Sequence, residues 1–181
     1  LSTSSDHLKL TVPLSGSASP GISGRSVASL FMAGTASLDF AGAGGASLIL
    51  TSGNLLASGG SMTLGNAVLA AMGAAPVVST GAAEAALMVD ANTSLTLNAA
   101  LVNSTHVVKG LEGVLTFATK QFFNTSASGT FSIGGGTVRL AGGTNTLWQG
   151  VQGGVGGQNL LLSPGATLDL NGNSQLVGRL S

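Results

Sequence analysis

Cysteine and tyrosine are absent from this 181-residue chain, and charge is scarce. Without cysteine there is no disulfide, no thiolate metal site and no thiol nucleophile. Six Lys and Arg stand against six Asp and Glu, so the net charge is zero and only 7% of residues are charged. An ordinary soluble domain carries about 25%. Six dispersed cations cannot build the basic face that nucleic acid requires. Aromatic residues are 4% of the chain, with six Phe and one Trp. A wide core leans on large aromatic side chains, so this core must be narrow enough for Leu, Val, Ala and Met to fill. The longest apolar stretch, Val68 to Ala83, is broken by Gly73, Pro76 and Gly81 and falls short of a spanning helix of about 20 residues. The first residues, Leu1 to Asp6, lack the basic and apolar regions of a signal peptide. An opening on Leu1 rather than Met implies processing or a longer polypeptide.

What is abundant is small and weakly polar. Glycine occurs 29 times, 44% of residues are hydrophobic, and the mean hydropathy is +0.49. That is far from the polar, highly charged composition of disordered chains. One short unit recurs, a small or polar residue followed by apolar, polar and apolar. It appears at Ser37–Phe40, Ser47–Leu50, Ser61–Leu64, Ser94–Leu97, Val114–Phe117, Thr130–Ile133, Thr137–Leu140 and Thr167–Leu170. Alternation with period two is the signature of a strand with one buried face. The inward set then includes Leu38, Phe40, Leu48, Leu50, Leu95, Leu97, Leu115, Phe117, Val138, Leu140, Leu168 and Leu170.

The units recur at irregular intervals, and the chain has one Asn-Gly pair, Asn171-Gly172, and no Asp-Gly. That disfavours an antiparallel meander, whose tight hairpins favour such pairs. The expected fold is all-β: a right-handed parallel β-helix, one solenoid domain over residues 1–181 with seven to nine coils. The alternative is a β-sandwich. A short Ala-rich excursion is expected at 66–86, either helical behind an Asn66 cap and again around Gly81–Met88, or an extra coil with Ala-rich strands.

Little in the sequence points to chemistry. Glycan cleavage needs paired carboxylates, yet Asp6, Asp39, Glu84, Asp90, Glu112 and Asp169 are dispersed and form no Asp-x-Asp. His7 and His106 are the only histidines, without the spacing of a metal site or a triad. Gly153 to Leu160 resembles a calcium-binding nonapeptide but lacks its Asp. Gly134–Gly136 lacks the Lys-Ser/Thr of a phosphate loop. No catalytic residue, cofactor or metal is therefore expected. Asn92, Asn103 and Asn124 open formal glycosylation triplets, which chance supplies in a chain this rich in Asn, Ser and Thr. A Thr-x-Thr ladder of the kind that binds ice is represented only by Thr144-Asn145-Thr146. The candidate contact residues are Trp148 and Gln149 in a Gly-rich segment, and the adjacent Phe122 and Phe123, one of which should lie outside or under a loop if both sit on a strand.

The segment from Ser163 to Ser181, with Ala166-Thr167-Leu168-Asp169-Leu170-Asn171-Gly172 followed by Leu176-Val177-Gly178-Arg179-Leu180-Ser181, resembles the autotransporter-associated β-strand repeat. Gly136 to Thr146 looks like the first half of another copy. The resemblance implies the passenger region of a type V secreted protein at the Gram-negative bacterial cell surface. It implies a non-enzymatic extracellular structural or adhesive module, with a host surface, a glycan or other cells as partners. The alternatives are a β-helical carbohydrate-active enzyme and a self-assembling fibre subunit. Strand-like termini at Leu8–Val12 and Leu176–Ser181 suggest neighbouring coils or head-to-tail self-association.

Overall fold

A computed structural model describes residues 5–13, 24–40, 47–81, 84–122, 129–147 and 159–181. The strands are β1 (His7–Leu10), β2 (Arg25–Ala33), β3 (Ser37–Leu38), β4 (Ser47–Ser58) and β5 (Ser61–Gly65), then the helix α1 (Ala67–Ala71). They continue with β6 (Val77–Thr80), β7 (Glu84–Val89), β8 (Ser94–Asn98), β9 (Ala100–Val102), β10 (His106–Gly110) and β11 (Val114–Phe117). The last are β12 (Thr130–Ile133), β13 (Thr137–Leu140), β14 (Asn159–Leu162), β15 (Thr167–Asp169) and β16 (Arg179–Leu180).

The chain is all-β in class, built of parallel sheets. One sheet runs β1-β2-β4-β7-β10-β12-β14-β16, and β6 and β9 extend from β4 as a branch. The other runs β15-β13-β11-β8-β5-β3. Every strand pairing among the described residues is parallel. Parallel neighbours cannot be joined by a tight hairpin, and from β2 to β5 and again from β10 to β16 successive strands alternate between the two sheets. The antiparallel sandwich alternative is thereby set aside. All eight recurrent units lie wholly or partly in strands.

The registers stack like residues into columns. In the first sheet Leu8 pairs with Leu30, Leu30 with Leu55 and Leu55 with Leu87. In the second, Met62, Leu95, Leu115, Val138 and Leu168 form one column. Their side chains build one apolar cluster, which also takes in Phe117 against Phe131 edge-on, with ring centroids 5.9 Å apart. Of the expected inward set, ten are buried. Leu168 is only partly covered, and Leu170 is 40% exposed. Both belong to the last rung of the second sheet, where no described rung lies above them.

Rung spacing is elastic while register is not. In the second sheet the interval is 20 residues from Ser94 to Val114 but 33 from Ser61 to Ser94. The longer interval contains α1, whose cap is Asn66: its Oδ1 accepts from the Leu69 amide at 2.9 Å, as the sequence suggests. In the rest of the excursion the strand alternative holds and the second helical turn does not form. Glu84–Val89 is strand β7, not a helical turn, because Ala85, Leu87 and Val89 fall at period two and are all buried. A helical phase would scatter them.

Strand β4 bends, its first half pairing with β6 and its second with β7. The bend needs Gly53, at φ +71°, where an added Cβ would lie 2.2 Å from the Glu84 carbonyl oxygen. Opposite, the β2–β4 register shifts between Val27 and Ser29. Side chains make good the carbonyls there: Thr51 Oγ1 donates to Val27 at 3.3 Å and Ser52 Oγ to Ala28 at 2.5 Å.

The column argument makes a stability prediction. Leu115→Ala, which empties a mid-stack position, is expected to cost about 2–5 kcal/mol. Leu170→Ala, at an open position, is expected to cost under about 1 kcal/mol. Urea unfolding of the two variants checks this, and equal costs would contradict the column model.

Candidate functional site

Outward-facing polar residues are tied to one another across rungs. His7 Nδ1 lies 2.7 Å from Ser29 Oγ, and His106 Nδ1 lies 2.7 Å from Thr130 Oγ1. Ser94 Oγ donates to Ser61 Oγ at 3.0 Å, and Asn103 Nδ2 to Ser79 Oγ at 2.9 Å. The six acids, all among the described residues, sit on separate segments. Asp39 accepts from Asn66 Nδ2 at 2.8 Å, and Asp90 accepts from Ser58 Oγ at 2.9 Å. Glu84 stands beside His106 in register, and Glu112 lies in the turn after β10. Asp169 accepts from Arg139 Nε at 2.7 Å. That bond, with a second from the Asn171 amide, holds the Asp169 carboxyl below its ordinary value. Among the described residues no three His, Asp or Glu side chains gather into a possible metal site.

Eight polar residues are buried among those described, and the two with the largest side chains, Lys109 and Gln121, were missed by sequence reasoning. Lys109 follows Leu87 and precedes Ile133 in an aliphatic column, and it is fully buried. Its Nζ donates to the carbonyl oxygens of Leu111 at 2.5 Å, Gly113 at 2.7 Å and Gly135 at 2.8 Å. An ammonium has three N–H donors, and here they meet three carbonyls. Burial pulls the group down to about 8 from its usual 10.5, against the opposing pull of Glu112. Gln121 is also fully buried. Its Oε1 accepts from the Leu101 amide at 2.9 Å, and its Nε2 donates to Ala99 at 3.2 Å and Thr119 at 2.8 Å. Parity was the available signal. Lys109 is two residues from the buried Val107, and Gln121 continues the buried series Leu115, Phe117, Thr119.

An open groove of about 480 Å³ lies between α1 and the β6–β9 branch. Small residues such as Ala70, Ala100 and Ala118 make the space, and Phe122 forms part of the wall. Phe122 is 45% exposed and bridges to Val102. Phe123, Trp148 and Gln149 lie outside the described residues. A shallower depression of about 240 Å³ overlies the outward column Phe31, Leu56 and Met88. Of the glycosylation triplets, Asn92 and Asn103 occupy exposed turns at φ +57° and +67°, and Asn124 lies outside the described residues. Gly134–Gly136 connects β12 and β13.

No family model, no curated protein and no solved structure matches the chain.

Lys109 makes stability depend on pH in the alkaline range. The folded state releases this proton near 8, whereas the unfolded chain holds it until about 10.5. Between those values the unfolded state binds more protons, so stability rises with pH. Below about pH 8 Lys109 is charged in both states and adds no slope. Urea midpoints measured from pH 7.5 to 10.5 should therefore increase, and Lys109→Met should flatten that increase. A parallel rise in the variant would place its source elsewhere.

Proposed function

We propose that the two sheets and the branch are faces of a right-handed parallel β-helix, and that this solenoid is a non-enzymatic structural and adhesive module of an extracellular bacterial surface protein. Crossovers between parallel strands are right-handed in about 98% of cases, which favours the hand. A passenger-like role is favoured by the absence of cysteine and by the repeat-like segment Ser163–Ser181, which contains β15 and β16. The observation that carries the non-enzymatic reading is the dispersal of the carboxylates. Glycoside hydrolysis sets two of them across one bond, typically within ~10 Å, whereas Asp39, Asp90 and Asp169 each serve a separate local contact. The groove walled by Phe122 is the contact surface, with Phe123, Trp148 and Gln149 as further contact residues. Its partner is a glycan or another cell's surface.

The test uses purified protein on a glycan array and on soluble polysaccharides. Saturable binding without release of reducing ends is expected, with Phe122→Ala weakening it about tenfold, or ~1.4 kcal/mol. Polysaccharide cleavage that disappears on replacing one carboxylate would overturn the reading in favour of an enzyme.

A second reading, self-assembly into a fibre, is favoured by the last rung. Among the described residues β15 and β16 are each paired on one side only. Leu170, Leu176 and Leu180 are exposed beside them, at 40%, 63% and 65%. An unpaired strand edge with apolar flanks templates a further parallel rung, here from a second copy. Sedimentation at micromolar concentration should show association that Leu176→Lys with Leu180→Lys removes. A strictly monomeric parent protein would eliminate this reading.

A further inference from the structure

The apolar columns leave the stack ambiguous. Aliphatic residues recur at every second position on most rungs, so sliding one rung by two residues still turns apolar side chains inward. Leu8, Leu30, Leu55 and Leu87 are interchangeable in this respect. The coil from His106 to Phe122 carries the two largest buried polar side chains among the described residues, Lys109 and Gln121, whereas the other buried polar residues are Thr, Ser or Asn. Lys109 points its ammonium up the stack, to the Gly135 carbonyl of the next rung, while also holding Leu111 and Gly113 of its own turn. Gly136 follows at φ +62°, and a Cβ there would lie 2.5 Å from Lys109 Nζ. The receiving turn is thus shaped to the lysine. Gln121 reaches the other way, with its amide on the Leu101 N–H and the Ala99 carbonyl of the preceding rung.

We propose that Lys109 and Gln121 are register keys: they fix this coil against the rungs on both sides and so select one alignment from a set of nearly equivalent ones. A slip that set Val108 opposite Thr130 would bring Lys109 opposite Phe131 and carry its ammonium away from Gly135. A buried charge or amide without its partners is strongly disfavoured, whereas a leucine in the same column would tolerate either alignment. Polar residues buried in this role contribute uniqueness more than stability, as a single polar core residue does in fixing coiled-coil register.

The chain contains no cysteine, so introduced pairs report alignment without background. Val108 and Ser132 are register partners on the outward side. Partners about 4.8 Å apart suit a disulfide, while the diagonal pair Val108 and Thr130, at about 7–8 Å, does not. In the otherwise natural sequence, Val108→Cys with Ser132→Cys should cross-link and Val108→Cys with Thr130→Cys should not. With Lys109→Leu and Gln121→Leu added, the second pair should cross-link at least tenfold more than before, while cooperative thermal unfolding persists. Lys109→Met alone should give an intermediate increase. Exclusive cross-linking of the first pair in the leucine background would overturn the proposal. So would loss of cooperative unfolding in both the leucine and methionine variants, because the two residues would then supply stability rather than alignment.

Discussion

The structure depends on one constraint: a parallel rung cannot satisfy its own backbone. Its N–H and C=O groups point up and down the stack, and burying them unpaired is costly. The ladder therefore continues past the strands and through the turns. The amides of Gly113, Gly134 and Ser163 donate to Val89, Lys109 and Ile133 on the preceding rung. Where strands shorten, side-chain amides take over. Gln175 accepts from the Leu147 amide and donates to the Leu147 carbonyl, which is the pattern another strand would provide. The abundance of Gly, Ser, Thr and Asn follows from this need for close backbone approach and for side chains that imitate backbone.

The same constraint shapes the interior. Rungs held at hydrogen-bonding distance leave each inward side chain above another of its kind, in columns of Leu, Val and Met. Such a core is deep along the stack and narrow across it, which explains how so few aromatics suffice. Against that background, Lys109 and Gln121 are conspicuous by location rather than by residue type. Both find their partners in the main chain, so they bind rungs together without needing other polar side chains nearby.

Much of the architecture was legible in the sequence, because period-two alternation survives in short units such as Ser94-Leu95-Thr96-Leu97. The parallel arrangement could be inferred from the lack of hairpin turns. Local propensity misled at Glu84–Val89, where alanines that favour a helix in isolation are held as a strand between β4 and β10. The fate of Leu170 was hidden for another reason: its four-residue unit matches the buried ones, and only the absence of a covering described rung separates them. Lys109 and Gln121 were overlooked because a charged or amide side chain reads as exposed unless its parity is checked against its neighbours. Phe122 was legible as a candidate for exposure from its pairing with a second Phe, and it is 45% exposed.

Each inner strand of the longer path, from β2 to β14, pairs with the strand before it and the strand after it, and this has a mechanical meaning. In the proposed solenoid, tension applied along the stack would load the hydrogen bonds of one rung at a time, as in a zip, instead of shearing many together. The molecule would yield as a series of small releases, each paying out the 20 to 33 residues between successive rungs of the second sheet. The force needed would be set by the weakest rung exposed at that moment. Extension would pause where a coil is gripped from both sides, and the coil from His106 to Phe122 is built for that grip. A chain with this profile dissipates a pull gradually and keeps its remaining coils in place, the behaviour of a shock absorber rather than a rigid rod.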